Sequence, residues 1–261
     1  MELPMSGQKT IDLPGHWLLA RLGKRVLRPG GRELTERMLS GAGLPGADVV
    51  ELAPGLGITA MAVLNRKPAS YVAVEFDDDA AALTRAAVGE RGRAIQGEAA
   101  HTGLPDASAD VVVGEGILTM QTDAHKAEVA REAYRMLRPG GRFAIHDMVL
   151  QDGIDDDTKS EVRQALNRSI KATVDPLRAA EWRQLLTEAG FRVDAVSFAP
   201  LLLLEPRRVI ADEGLLRALR FAWNVVRDHD ARERVLDMRN TFRKLWSSIS
   251  VGVSRLSVRG R

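Results

Sequence analysis

Five acids and a histidine in the first 150 residues have the types and spacing to hold a polar small molecule and move a proton on it: Glu51, Glu75, Glu98, Glu115, His146 and Asp147. Glu51 lies in the apolar run Val49-Val50-Glu51-Leu52, and Ala53-Pro54-Gly55-Leu56-Gly57 follows at once. Glycines at 55 and 57 let the backbone approach a ligand closely, because no Cβ stands in the way. Glu75 ends the run Tyr71-Val72-Ala73-Val74, twenty residues beyond Gly55. That spacing suits an acid accepting from ribose hydroxyls in a nucleotide-type site. A carboxylate has two oxygens and can take both hydroxyls of a diol. The bland alternative for Glu75 is a solvated acid at a strand end.

His146 and Glu115 are the candidate proton movers. The imidazole of His146 titrates in the useful range; its other reading is a hydrogen-bonded wall residue. Glu115, in Gly114-Glu115-Gly116, reads as a base or as a ligand-side acid. His125, beside Asp123, reads as a solvated cap at a helix start. His146-Asp147 lacks a third ligand at metal spacing, so no metal site is expected. The chain has no cysteine, which excludes disulfides, thiolate nucleophiles and Cys-held zinc. Gly-x-Ser-x-Gly, P-loop and His-Glu-x-x-His patterns are absent.

The elements that must position these groups can be read from the alternation of apolar runs. Strands are expected at Asp48–Leu52, Tyr71–Glu75, Arg93–Gln96, Asp110–Gly114 and Phe143–His146. Helices are expected between them, including Ala80–Val88 behind the caps Asp77-Asp78-Asp79, and Lys126–Leu137. Strands alternating with helices imply a parallel sheet covered on both faces, with ligands at the strands' carboxyl ends.

Beyond His146 the pattern changes. An acidic loop (Gln151–Asp157) leads to helices near Thr158–Ile170 and Ala179–Ala189. Val193–Phe198 and Leu201–Leu204 read as two strands meeting at Pro200. Two helical stripes follow, one of Leu215, Leu219, Ala222, Trp223 and Val226, the other of Met238, Phe242, Leu245, Trp246 and Ile249. They are expected to pack on the sheet or to form a homodimer contact. From Ser250 a frayed tail is expected. The division is an N-terminal helical arm or lid at 1–44, a ligand-binding domain at 45–205 with a helical insertion about 151–190, and a C-terminal helical extension at 206–261.

Five segments carry a family likeness. Glu51-Leu52-Ala53-Pro54-Gly55-Leu56-Gly57 resembles motif I, acid-x-Gly-x-Gly-x-Gly, of class I S-adenosylmethionine-dependent methyltransferases, with Ala53 in place of the first glycine. Val72-Ala73-Val74-Glu75-Phe76-Asp77 resembles the family's ribose-binding strand end. Gln96-Gly97-Glu98-Ala99 resembles its adenine-side loop. Leu104-Pro105-Asp106-Ala107-Ser108-Ala109-Asp110-Val111-Val112 and Leu137-Arg138-Pro139-Gly140-Gly141-Arg142-Phe143 resemble the leads into its fourth and fifth strands. The likeness covers about residues 45–150, plus Ala189-Gly190-Phe191.

It implies a Rossmann-like, doubly wound, mainly parallel seven-stranded α/β sheet with helices on both faces, here with an N-terminal helical arm and extra C-terminal helices. It also implies S-adenosyl-L-methionine as cofactor. Carried over residue by residue, the cofactor side comprises Glu51, Ala53, Gly55, Gly57, Glu75, Phe76, Glu98, Ala99 and Glu115. Glu51 would orient the methionine ammonium, Phe76 lie on the adenine, and Glu98 accept from its amino group. His146 and Glu115 are the catalytic candidates, needed only if the acceptor keeps a proton. His16-Trp17 and Met120-Gln121 would close over the pocket.

A small-molecule methyl acceptor is expected, because the arm and the 151–190 region suit a compact covered pocket. Gly114-Glu115-Gly116-Ile117 is unlike the Asn-Pro-Pro-Tyr tetrapeptide of base- and glutamine-methylating relatives, and arsenite-methylating chemistry needs cysteines. Two rival readings stay open. Gly55-x-Gly57-x-x-Ala60 is compatible with a nicotinamide-dependent oxidoreductase, and Ala53 with a catalytically silent cofactor-binding module.

Charge adds a further expectation. Residues 205–261 hold 13 Lys/Arg against 7 Asp/Glu, while the rest of the chain holds 24 against 28. This reads as a solvated helical face with a basic tail, or as a surface for an acidic partner, nucleic acid or a membrane. No zinc finger or aromatic-rich basic strand supports nucleic acid. No apolar run approaches a bilayer span and no secretion signal is seen, so no membrane insertion and a cytoplasmic location are expected.

Overall fold

The computed structural model describes residues 3–258. Its strands are β1 (Asp48–Leu52), β2 (Ser70–Glu75), β3 (Arg93–Gln96), β4 (Ala109–Glu115), β5 (Leu137–Leu150), β6 (Leu177–Arg178), β7 (Phe191–Pro200) and β8 (Ile249–Val258). They form one sheet in the order β3-β2-β1-β4-β5-β8-β7, with the two-residue β6 paired to the end of β5. β1 to β5 run parallel. β8 runs antiparallel to both β5 and β7. The seven-stranded, mainly parallel architecture expected from the sequence is the one observed.

Ten α-helices surround this sheet among the described residues: α1 (Gly15–Arg21), α2 (Gly31–Gly41), α3 (Ile58–Leu64), α4 (Asp78–Val88), α5 (Asp123–Met136), α6 (Asp156–Ile170), α7 (Ala179–Glu188), α8 (Pro206–Glu213), α9 (Leu215–Arg227) and α10 (His229–Lys244). Alternation along the strands splits the core in two, because successive side chains point to opposite faces. Val49, Tyr71, Ala73, Val111 and Ala144 pack toward α2, α3 and α4. Val50, Leu52, Val74, Val112 and Phe143 pack toward α5 and α7. Side-chain caps set several helix starts. Asp77 accepts from Ala80 N at 2.9 Å, and Asp155 from Thr158 N at 2.7 Å.

Two expectations fail here. Leu201–Leu204 is a turn. Leu201, Leu203 and Leu204 are all buried, so the run lacks the in-and-out alternation of a half-covered strand, and Trp246 Nε1 ties it down by donating to Leu201 O at 2.7 Å. The expected frayed tail is, through Val258, the strand β8. Ile249, Val251 and Val253 are buried there, and the strand registers with β5 from Leu150↔Ile249 to Arg142↔Ser257. The segment 206–261 is therefore helical only in part. Residues 1, 2 and 259–261 lie outside the described residues.

The arm is held from the far end of the chain. Glu213 Oε1, at the end of α8, accepts from the backbone N–H groups of Arg25 and Val26, each at 2.8 Å. The neighbouring Asp212 Oδ1 accepts from Arg32 N at 2.9 Å. Lys24, fully buried, sits 3.5 Å from Glu213 Oε1. Burial pushes the Lys24 ammonium down from its ordinary pKa, and the two acids partly offset that. Among the described residues no helix is long and apolar enough to cross a membrane.

Candidate active site

At the carboxyl ends of β1, β2, β4 and β5 lies a cavity of about 550 Å³, bounded on its far side by the arm and by α6 and α10. Its volume falls in the range of small-molecule sites, roughly 300–1,000 Å³. One half is lined by Glu51, Ala53, Gly55, Glu75, Phe76 and Glu98, with Ala99 beside them. The other half is mostly apolar, with Trp17, Ile170, Val174, Met238 and Phe242.

The turn after β1 is built around positive backbone angles. Ala53 has φ 52, Gly55 φ 58 and Gly57 φ 70. A side chain at Gly57 would meet Ala87 Cβ at 3.0 Å, so glycine is required there for the close approach of α3 and α4. A Cβ at Gly55 would meet nothing within 4 Å. Ala53 adopts the same left-handed region without glycine's freedom, which costs on the order of 1 kcal/mol.

Glu75 organises this turn. Its Oε2 accepts from Gly55 N at 2.9 Å and its Oε1 from Asp77 N at 3.2 Å. The side chain is buried, which raises its pKa, partly offset by these backbone donors. Phe76 stands 75% exposed at the cavity rim. Glu51 is buried on β1 and accepts from Tyr71 OH at 2.7 Å. Burial pushes its pKa up to about 8, although the Tyr71 bond acts the other way. Glu98 is exposed and lies 3.1 Å from His125 Nε2, while His125 Nδ1 reaches Glu128 at 2.9 Å. His125 thus does more than sit at a helix start, because it lines the cavity and holds Glu98.

Glu115 and His146 form a different kind of group. Glu115 Oε1 accepts from Thr35 Oγ1 at 2.6 Å and pairs with His146 Nδ1 at 2.8 Å. Its Oε2 accepts from Thr59 Oγ1 and pairs with Arg28 Nε at 2.7 Å. Burial alone would raise this carboxyl. The Arg28 charge, followed by the His146 and Thr35 contacts, outweighs it and holds the pKa down at about 2. A carboxylate held so low is a poor proton acceptor near neutral pH.

His146 does not line the cavity, contrary to the expectation for a residue at the end of β5. Side chains alternate along the strand, and position 146 points under the arm, where Nε2 is buried without a partner. A Cβ on Gly30 would come within 2.8 Å of that nitrogen.

The next residue, Asp147, points the other way and does line the cavity. Its Oδ1 accepts from Thr119 N at 2.8 Å, and its Oδ2 is buried without a partner. Burial raises its pKa to about 6, against the pull of the Thr119 bonds. His16 also lines the cavity, with Nδ1 buried and unpartnered and its pKa lowered by burial to about 4, so its ring is neutral at pH 7. Arg28, Thr35 and Thr59 were not legible as site residues, because what makes them so is contact with a distant strand. Asp147 was legible only as the neighbour of His146. Among the described residues no group of three His, Asp or Glu could hold a metal ion.

Residues 50–145 match the family of the methyltransferase domain. An uncharacterized protein of Haemophilus influenzae is 32% identical over 238 residues, covering 88% of this chain and 92% of its own. A protein of Mycolicibacterium smegmatis described as a probable S-adenosylmethionine-dependent methyltransferase is 30% identical over 206 residues, covering 74% of this chain and 66% of that one. Among solved structures, the [4+2]-cyclase SpnF superposes with a TM-score of 0.68 at 13% identity, covering 88% of this chain and 81% of that chain, a likeness of fold alone. Residues 50–145 are a methyltransferase domain of the class I S-adenosylmethionine-dependent family. S-Adenosylmethionine binding goes with that family.

Proposed function

We propose that the protein transfers a methyl group from S-adenosylmethionine to a small, largely apolar acceptor. The observation that carries this reading is one cavity with two unlike halves, a polar one built on the turn after β1 and an apolar one closed by the arm, α6 and α10. The polar half suits the cofactor. Space stands open over Gly55, and Glu75 lines the wall beside it with its two oxygens already aligned by backbone donors.

The cofactor, when bound, supplies an electrophilic methyl carbon on a charged sulfur. The chain's own residues do the rest. Glu75 accepts from the two ribose hydroxyls, and Phe76 lies on the adenine face. Glu98, steadied by His125, accepts from the adenine amino group. Glu51 accepts from the methionine ammonium. Glu115 and His146 keep the arm closed and water out, a role in alignment and exclusion. Asp147 replaces His146 as the group that takes a proton from the acceptor, with neutral His16 as a second polar contact across an apolar space.

Calorimetric titration with adenosylhomocysteine and with nicotinamide dinucleotides tests the cofactor half. Binding of the former and not the latter supports the reading. The reverse would replace it with the oxidoreductase. Transfer of labelled methyl to a panel of apolar amines, phenols and carbon acids tests the acceptor half. Tight binding with no transfer to any member would leave a silent module.

A further inference from the structure

We propose that the outer face of α9 docks on an anionic lipid surface. On this helix Leu215, Leu219, Trp223 and Val226 share one face, with Leu216 beside them. They are 60%, 59%, 60% and 58% exposed, and Leu216 is 83% exposed. The helix is not loosely attached. Ala218 and Phe221 are buried on its other side, and Asn224 Nδ2 donates to Leu22 O of the arm at 2.9 Å. A firmly seated helix that turns five large apolar side chains outward has a face with work to do.

Charge selects the occupant. The charged residues of α9 are Arg217, Arg220 and Arg227, with no acid between Leu215 and Arg227. All three are exposed, and none pairs with a carboxylate among the described residues. Arg227 lies over the Trp223 ring, 5.8 Å from its centroid. Arginines bordering an apolar arc that carries a tryptophan are the composition of a helix lying flat in a headgroup layer. A second copy related by a two-fold axis would bring the same arginines toward one another, because such an interface repeats one patch on both sides. A bilayer rich in acidic headgroups instead neutralises each of them. The face neither needs nor blocks the cavity, so docking stands apart from the methyl-transfer reading.

The test is co-sedimentation of the full chain with vesicles of phosphatidylcholine alone and of phosphatidylcholine mixed with phosphatidylglycerol, with tryptophan fluorescence as a second readout. The mixed vesicles should bind at least about tenfold more strongly, with a blue-shifted emission and a loss of binding at high salt. The doubly substituted Leu216→Glu, Leu219→Glu variant should lose that binding while keeping its circular dichroism and its affinity for adenosylhomocysteine. Replacing Arg220 and Arg227 with Ala should abolish the preference for mixed vesicles. Equal binding to both vesicle types, or unchanged binding by the leucine variant, overturns the proposal. So does a dimer in light scattering that the leucine variant dissolves, because that would assign the face to a second copy.

Discussion

The Nδ1–H of His146 donates to Oε1 of Glu115 across 2.8 Å, and Arg28 engages the other oxygen of the same carboxylate. Two neighbouring strands and the arm therefore meet at one buried acid. The arm is fastened by charge as well as by apolar packing. Arg28→Met would leave Glu115 buried without its cation, and breaking a buried pair from one side costs about 3–5 kcal/mol. Urea denaturation should show that loss, and adding Glu115→Gln should recover part of it. A single-variant loss within the range of a surface pair, about 0–1 kcal/mol, would mean that the arm is held by other contacts.

Glu75→Ala removes the carboxylate proposed to take both ribose hydroxyls and the two backbone donors of the turn. Charged hydrogen bonds contribute about 1.5–3 kcal/mol each. Adenosylhomocysteine affinity should fall by at least about tenfold in calorimetry. Unchanged affinity would strike Glu75 from the site.

Glu51 gives a pH dependence with a definite sign. Its pKa in the fold is about 8, above the ordinary 4.5, so the folded state binds the extra proton between these values. Its contribution to stability is complete below 4.5 and is lost as pH rises through about 8. Against Glu51→Gln, the unliganded wild type should lose relative stability over that window in thermal melts. Adenosylhomocysteine affinity should rise with pH over the same window, since only the ionised acid attracts an ammonium, and the Gln variant should not show that rise.

Ala53→Gly should stabilise the protein by up to about 1 kcal/mol, because a left-handed backbone costs an alanine that much and glycine little. Part of the gain is offset by the greater freedom of glycine in the unfolded chain. The denaturation midpoint should move up with adenosylhomocysteine affinity unchanged.

Asp147 and His146 can be separated by pH. With an acceptor from the panel, turnover should rise as pH passes through about 6, where Asp147 ionises. Asp147→Asn should remove that limb, while His146→Asn lowers stability and leaves the limb in place. A limb lost with His146 instead would restore the imidazole as the proton acceptor.

The parallel half of the sheet was legible because its signals are local. Val49-Val50 and Val72-Ala73-Val74 are apolar runs, and the closely spaced Gly55 and Gly57 mark the turn between the first strand and its helix. Glu51 and Glu75, the acids proposed for the ammonium and the ribose, drew notice for the same reason, since one lies within such a run and the other closes one. The face of β5 on which His146 lies was not, because a strand buried on both sides carries no polar alternation to mark inside and outside. Arg28 gave no signal at all, since its partner is a strand end far along the chain. The strand at 249–258 did leave one, Ile249, Val251 and Val253 at a period of two, but the helical stripe ending at Ile249 masked it.

That strand has a consequence for biosynthesis. β8 lies between β5 and β7, so neither can complete its hydrogen bonding until residue 258 has left the ribosome. From the emergence of β5 until that point the nascent chain carries β5 as an open edge, ready to pair with a neighbouring polypeptide. Chaperone demand should therefore be concentrated in the interval between the emergence of β5 and that of β8.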